Sequence, residues 1–91
     1  MAQRHPSAIK RHTQSHKRAT RKHVVRTHVR RVVRELRDTI ARKDIAAAET
    51  QLRSVMKTVD KAVTKGVLHH NNAARRISRL SRQVAALKKA S

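Results

Sequence analysis

Three stripes of apolar side chains run along this 91-residue chain. Val25, Val29, Val32, Val33, Leu36 and Ile40 recur mainly at steps of three and four, the spacing of one face of an α-helix. Ile45, Ala48, Leu52, Val55, Val59 and Val63 repeat the pattern, and so do Ala73, Ile77, Leu80, Val84 and Leu87. The first helix should begin near Ser7, just after Pro6, and run to about Ala41. Arg42-Lys43-Asp44 reads as a turn, with Asp44 as N-cap of the second helix. Gly66 suits the left-handed residue that ends the second helix. Val67 to His70 then connect to a third helix capped by Asn71 or a neighbour. With one Gly and one Pro in the chain, turns are few. Short connections between three stripes predict an all-α fold, an antiparallel three-helix bundle.

The first helix is too long for that bundle. Its 35 or so residues span roughly 50 Å at ~1.5 Å each. Upstream of Val25 the apolar row stops, and Ile9 is the one large apolar residue there. The same face continues backwards as Lys22, Arg18 and Arg11. A face that meets a protein core downstream therefore meets something anionic upstream. We divide the chain into a basic arm over residues 1–24 that extends beyond the bundle to penetrate this anionic partner, and the bundle itself over 25–91. With so thin a core, the bundle is expected to be weakly stable alone and residues 1–23 to be disordered when free.

Charge says what the anion is. Lys plus Arg number 24 against 5 Asp plus Glu, a net charge of +19. Residues 1–43 carry +12, residues 44–65 only +1, and residues 66–91 carry +6. Such a chain repels itself until a polyanion neutralises it. Nucleic acid does so through phosphates that release condensed counterions. Membrane-surface helices need Trp, Phe or Leu at the headgroup boundary, and here the aromatic content is zero. An Arg-rich, acid-free start also suggests an organellar transit peptide, but it lacks the bulky apolar face. Arg outnumbers Lys 15 to 9, which suits two-pronged phosphate contacts.

Candidate binding residues lie in three places. The arm offers Arg4, Lys10, Arg11, Gln14, Lys17, Arg18, Arg21 and Lys22, distributed all round the helix, as insertion between RNA helices would use. The competing reading is a disordered cationic tail. Further along the first helix stand Arg26, Arg30 and Arg34. On the third helix Arg75, Arg79 and Arg82 lie opposite the apolar stripe, with Arg76 at its flank. No acid follows Asp60 to make that face merely soluble. Lys65, His69, His70 and Asn71 stand between the second stripe and the third.

Single-strand readers stack bases on aromatic rings, which are missing, so backbone and shape of folded RNA are what this chain can read. Seven His include the pair His12 and His16, yet with no Cys and no nearby carboxylate they do not complete a metal site. No metal and no cofactor are expected. Nor is enzymatic activity, for want of paired carboxylates, a Gly-rich phosphate loop, or a nucleophile with its base.

One stretch is more specific than composition. Asp60-Lys61-Ala62, Lys65-Gly66-Val67-Leu68-His69, Asn71, Ala73-Ala74-Arg75 and Ser78-Arg79-Leu80 resemble the signature D-K-A-A-x-K-G-x-I-H-K-N-x-A-A-R-x-x-S-R-L. That signature belongs to the bacterial small-subunit ribosomal protein family twenty. Ser7-Ala8-Ile9-Lys10-Arg11 with Gln14-Ser15 is similar to the basic opening of that family. Departures are His70 in place of Lys, and Lys22 and Val24 in place of Asn and Ser. The resemblance implies a ribosome-bound, cytoplasmic structural protein that binds small-subunit (16S) ribosomal RNA early in assembly. It implies contact mainly with the 5′ domain and near the long penultimate helix, other small-subunit components as neighbours, no membrane and no self-oligomer. The alternatives are a DNA-compacting, histone-like protein and a cationic membrane-active peptide. The first tends to Lys/Ala/Pro repeats that this chain lacks.

Overall fold

The computed structural model describes residues 6–90, with side chains from Ile9 onward. Arg4 and the extreme ends of both proposed segments lie outside the described residues. Three helices make up the described chain: α1 (Pro6–Ala41), α2 (Ile45–Thr64) and α3 (His70–Ala90). The molecule is elongated, 72 × 22 × 16 Å, with a radius of gyration of 18.7 Å. A compact chain of this length would have a radius of about 12 Å. The excess is α1, whose 36 residues outrun both partners.

Each break between helices has a local cause. Lys43 (φ 61°) and Gly66 (φ 74°) take the left-handed conformation that turns the chain out of α1 and out of α2. After α2, Gly66 N–H donates to the Val63 carbonyl and Val67 N–H to that of Ala62, both at 2.9 Å, closing a Schellman turn. The same pair of bonds recurs after α1, from Lys43 to Ile40 and from Asp44 to Thr39. Asp44 then caps α2, its side chain accepting from the Ala47 N–H at 3.2 Å. The cap of α3, expected at Asn71 or a neighbour, falls two residues before Asn71. His69 holds it, its ring Nδ1 accepting from the Asn71 N–H at 3.2 Å and its carbonyl from Ala73. An imidazole nitrogen serves here where Ser or Asp is usual.

Gly adopts the left-handed region freely, whereas an L-residue is penalised there by about 1–2 kcal/mol. Lys43→Gly is therefore expected to stabilise the bundle by up to ~1 kcal/mol, which thermal unfolding would register as a rise of roughly 4–8 °C. A lower melting temperature would mean that the Lys43 side chain contributes more than its backbone loses.

The core is one cluster: Val29, Val33 and Leu36 from α1, Ala48, Val55, Val59 and Ala62 from α2, and Ala73, Leu80 and Val84 from α3. Val25, Val32, Ile40, Ile45, Leu52, Val63, Ile77 and Leu87 of the predicted stripes are half-buried. Four interior residues were not in those stripes. Ala62 is buried, and Val67 and Leu68 of the α2–α3 connection fold back onto the cluster. Thr39 is 2% exposed, and its hydroxyl donates to the Glu35 carbonyl at 3.0 Å, which satisfies it. α2 packs against both other helices, while α1 and α3 meet sparsely. That asymmetry leaves a groove between α1 and α3.

Residues 6–23, expected to be disordered in the free chain, continue α1 as helix. Nothing after Pro6 interrupts them, and Ala, Arg, Lys and Gln favour helix. The hydroxyls of Thr13 and Thr20 bond back to the carbonyls of Ile9 and His16. All side chains from Ile9 to Val24 are exposed.

Lys88 of α3 pairs with Glu49 of α2. The Lys88 hydrogen bond and charge hold the Glu49 carboxyl below the usual glutamate pKa, with Arg53 adding a smaller pull against slight burial. A carboxyl acidified by folding lends stability at neutral pH and loses it as pH falls through its lowered pKa. An NMR titration should show the Glu49 midpoint rising in Lys88→Met; an unmoved midpoint would refute the pairing.

Candidate nucleic-acid interface

Between α1 and α3 lies a groove of about 590 Å³ lined by Arg30, Arg34 and Arg37 on one wall and by Arg75, Arg76 and Arg79 on the other. Val33 lies in the lining, together with Asn72 and one acid, Asp38. Helical spacing explains the walls. Arg30, Arg34 and Arg37 sit at steps of four and three, beside the α1 core face; Arg75 and Arg79 lie on the flank of α3 away from Leu80, while Arg76, one turn before Leu80, is half-buried at the edge of the core face. One guanidinium is pre-positioned, because Arg76 Nε donates to Asn72 Oδ1 at 3.0 Å. Arg26 joins Arg30, Arg76, Val29 and Leu68 in a smaller concavity that prolongs the groove towards the arm.

Six guanidiniums facing one carboxylate cannot be a resting ion-pair network. Like charges this close repel, and the groove attracts a polyanion into it. Guanidinium forks fit phosphate oxygens bidentately. Of the four acids outside the groove, three are occupied: Glu49 with Lys88, Glu35 with Arg31 at 4.0 Å, and Asp44 as a cap.

Not all expected residues meet in the groove. Arg18, Arg21 and Lys22 share a second concavity with Lys65, Val25 and Val67, where the arm passes the α2–α3 connection. Lys10, Arg11, Gln14 and Lys17 stand exposed on the arm. His69 and His70 stack, ring centroids 4.3 Å apart, at the start of α3. Asn71 is exposed and offers its backbone N–H to His69. Arg82 is exposed further along α3, outside the groove lining. Arg37 and Asn72 were missed. Arg37 follows Arg30 by seven residues and Arg34 by three, a register that places it on the same wall. Asn72 was legible only as the residue four before Arg76.

Among the described residues no three of His, Cys, Asp and Glu gather as a metal ion would need. No described helix is long and apolar enough to cross a membrane.

An acid-poor helical bundle with a protruding cationic helix and an arginine-lined groove belongs to the class of polyanion-binding, nucleic-acid-associated proteins. The family model described as Ribosomal protein S20 matches residues 3–85. The small ribosomal subunit protein bS20 of Oleidesulfovibrio alaskensis is 48% identical over 80 residues, covering 88% of this chain and 92% of its own. That of Maridesulfovibrio salexigens is 50% identical over the same shares. That of Anaeromyxobacter sp. (strain K) is 49% identical over 79 residues, 87% of either chain. The chain belongs to the ribosomal protein S20 family, whose members are structural proteins of the small ribosomal subunit and bind its RNA.

Proposed function

We propose that this chain is a cytoplasmic, non-enzymatic protein that binds 16S ribosomal RNA directly through two surfaces and holds RNA segments together during and after assembly. The arginine groove is one surface. Arg30 and Arg34 from α1 and Arg75, Arg76 and Arg79 from α3 grip one stretch of phosphate backbone from both sides. The arm is the other, with Lys10, Arg11, Gln14, Lys17, Arg18, Arg21 and Lys22 entering a crevice between RNA helices. Lys65, His69, His70 and Asn71, around the turn between α2 and α3, add further contacts to the same RNA, as do Arg26 at the arm-side end of the groove and Arg82 further along α3. The nearly neutral α2 faces away and keeps the other helices in register. Residues 1–24 thus act as the penetrating arm and 25–91 as its anchor. Other small-subunit components are neighbours of this complex, and the chain works as one copy without a membrane.

The observation that carries this reading is the facing of guanidiniums across the α1–α3 groove. Two opposed cationic walls suit a backbone held by shape, since neither carries an aromatic platform for bases. The test compares binding to small-subunit rRNA and to random duplex DNA over a salt series. The rRNA is expected to bind tighter at every salt concentration, with a steep decline for both. Equal affinities would refute recognition of folded RNA.

A further inference from the structure

One strip of α1 changes chemistry along its length. His16, His23, Arg30 and Arg37 follow one another at seven-residue steps. Seven residues make nearly two turns, so the four fall within an arc of roughly 60°, and His12 falls within it too. The downstream half, Arg30 and Arg37, is a wall of the arginine groove. The upstream half has no opposing wall, because α3 begins only at His70 and the groove's arm-side end is formed by Arg26, Arg30, Leu68 and Arg76.

Among the described residues, these three imidazoles differ from the other three in having no visible task within the fold. The His69 ring caps α3, His70 stacks on it, and the His28 ring bonds Arg31 at 2.9 Å. His12, His16 and His23 are exposed, and Thr20 and Thr27 engage only the backbone carbonyls of His16 and His23. No acid precedes Glu35 in the chain. The charged groups contributed around this end of α1 are cations: Lys17, Lys22 and Arg26 of α1 itself, Lys61 and Lys65 of α2, and Arg76 of α3. A phosphate arriving beside an imidazole favours its protonated form. Imidazole is the side chain that ordinarily changes charge between pH 5 and 8.

We propose that His12, His16 and His23 form a proton-linked phosphate-binding strip that extends the arginine groove along the arm, so that docking of rRNA takes up protons. The inference rests on the rRNA-binding reading above and adds three residues to its surface. Its sign follows from linkage. Phosphate favours the charged imidazole in the complex, so the strip contributes fully below the free imidazole range and fades as pH rises through the bound one. The window is roughly pH 6–8.

The test titrates the full chain with small-subunit rRNA at pH 6 and pH 8 and constant ionic strength. The unaltered protein is expected to bind about 10- to 100-fold tighter at pH 6, as three linked protons would produce. In the variant His12→Gln/His16→Gln/His23→Gln the gain should fall by at least half on a logarithmic scale, the remainder belonging to His69 and His70, while His28→Gln keeps the full gain. Calorimetry in two buffers of different ionisation enthalpy should show proton uptake at pH 7 that falls by at least half in the triple variant. Circular dichroism verifies that the variant stays helical. A pH-independent unaltered protein, or a triple variant retaining the gain, overturns the strip while leaving rRNA binding intact. Absence of rRNA binding at both pH values overturns the functional reading and the strip with it.

Discussion

Changing Arg34, Arg37, Arg75 and Arg79 together to Ala is expected to weaken rRNA binding about a thousandfold and to raise the melting temperature of the free protein. All four line the α1–α3 groove. A charge-assisted contact to phosphate is worth at least ~1 kcal/mol net. Four such losses total about 4 kcal/mol, or nearly three powers of ten in affinity. The salt dependence should flatten as well, by roughly three to four units of log–log slope, because four fewer phosphates are neutralised. Stability moves the other way. In the free protein these guanidiniums repel across the groove with one acid, Asp38, in its lining. Their removal relieves that repulsion most at low ionic strength and little at high, where salt screens it. Opposite signs for binding and stability separate an interface from a structural network. Loss of both together would mean that the arginine stems support the bundle by packing, and the groove would be misassigned.

Leu36→Ala should have the largest effect on folding. Leu36 is fully buried, 0% exposed, in the cluster that joins all three helices. Truncating a buried leucine costs about 2–5 kcal/mol through lost transfer energy and the cavity left behind. A domain of this size has about 5–10 kcal/mol in total, and ten buried apolar side chains among the described residues place this one near the lower end. The variant is expected to be largely unfolded at 37 °C in physiological buffer. Ligand binding to the native state recovers about 4 kcal/mol at a thousandfold excess over Kd. Saturating rRNA should therefore restore slow amide exchange in α2 and α3. Met56→Ala, exposed on α2, is the comparison and should shift stability by less than ~0.5 kcal/mol. If Leu36→Ala melts with the unaltered protein, the interior is not held together as the burial pattern indicates.

The helical frame was legible because its causes are local. The three- and four-residue spacing of Val29, Val33 and Leu36, and of Leu80 and Val84, marks which face meets a core wherever the helices end up. Asp44 and Gly66 mark ends through hydrogen bonds that span at most five residues. Lys43 escaped as a left-handed residue because nothing in its side chain announces that conformation. His69 escaped as a cap because an imidazole seldom fills that role. Thr39 lies outside the apolar stripes and is nonetheless buried, and the bond of its hydroxyl to the Glu35 carbonyl is what makes burial tolerable.

The amino-acid order by itself determined the three amphipathic helices, the excess of positive charge and the point, near Val25, where α1 exchanges an apolar face for a cationic one. Each depends on neighbours within a turn or two, so no distant contact is needed to read it. Only the tertiary structure decided that α2 would pack against both other helices and leave α1 and α3 slightly apart. Through that gap Arg30, Arg34 and Arg37 come to face Arg75, Arg76 and Arg79, residues some forty positions away in the chain. Periodicity assigns each arginine to a side of its own helix, but which sides oppose one another depends on how buried side chains interlock between helices.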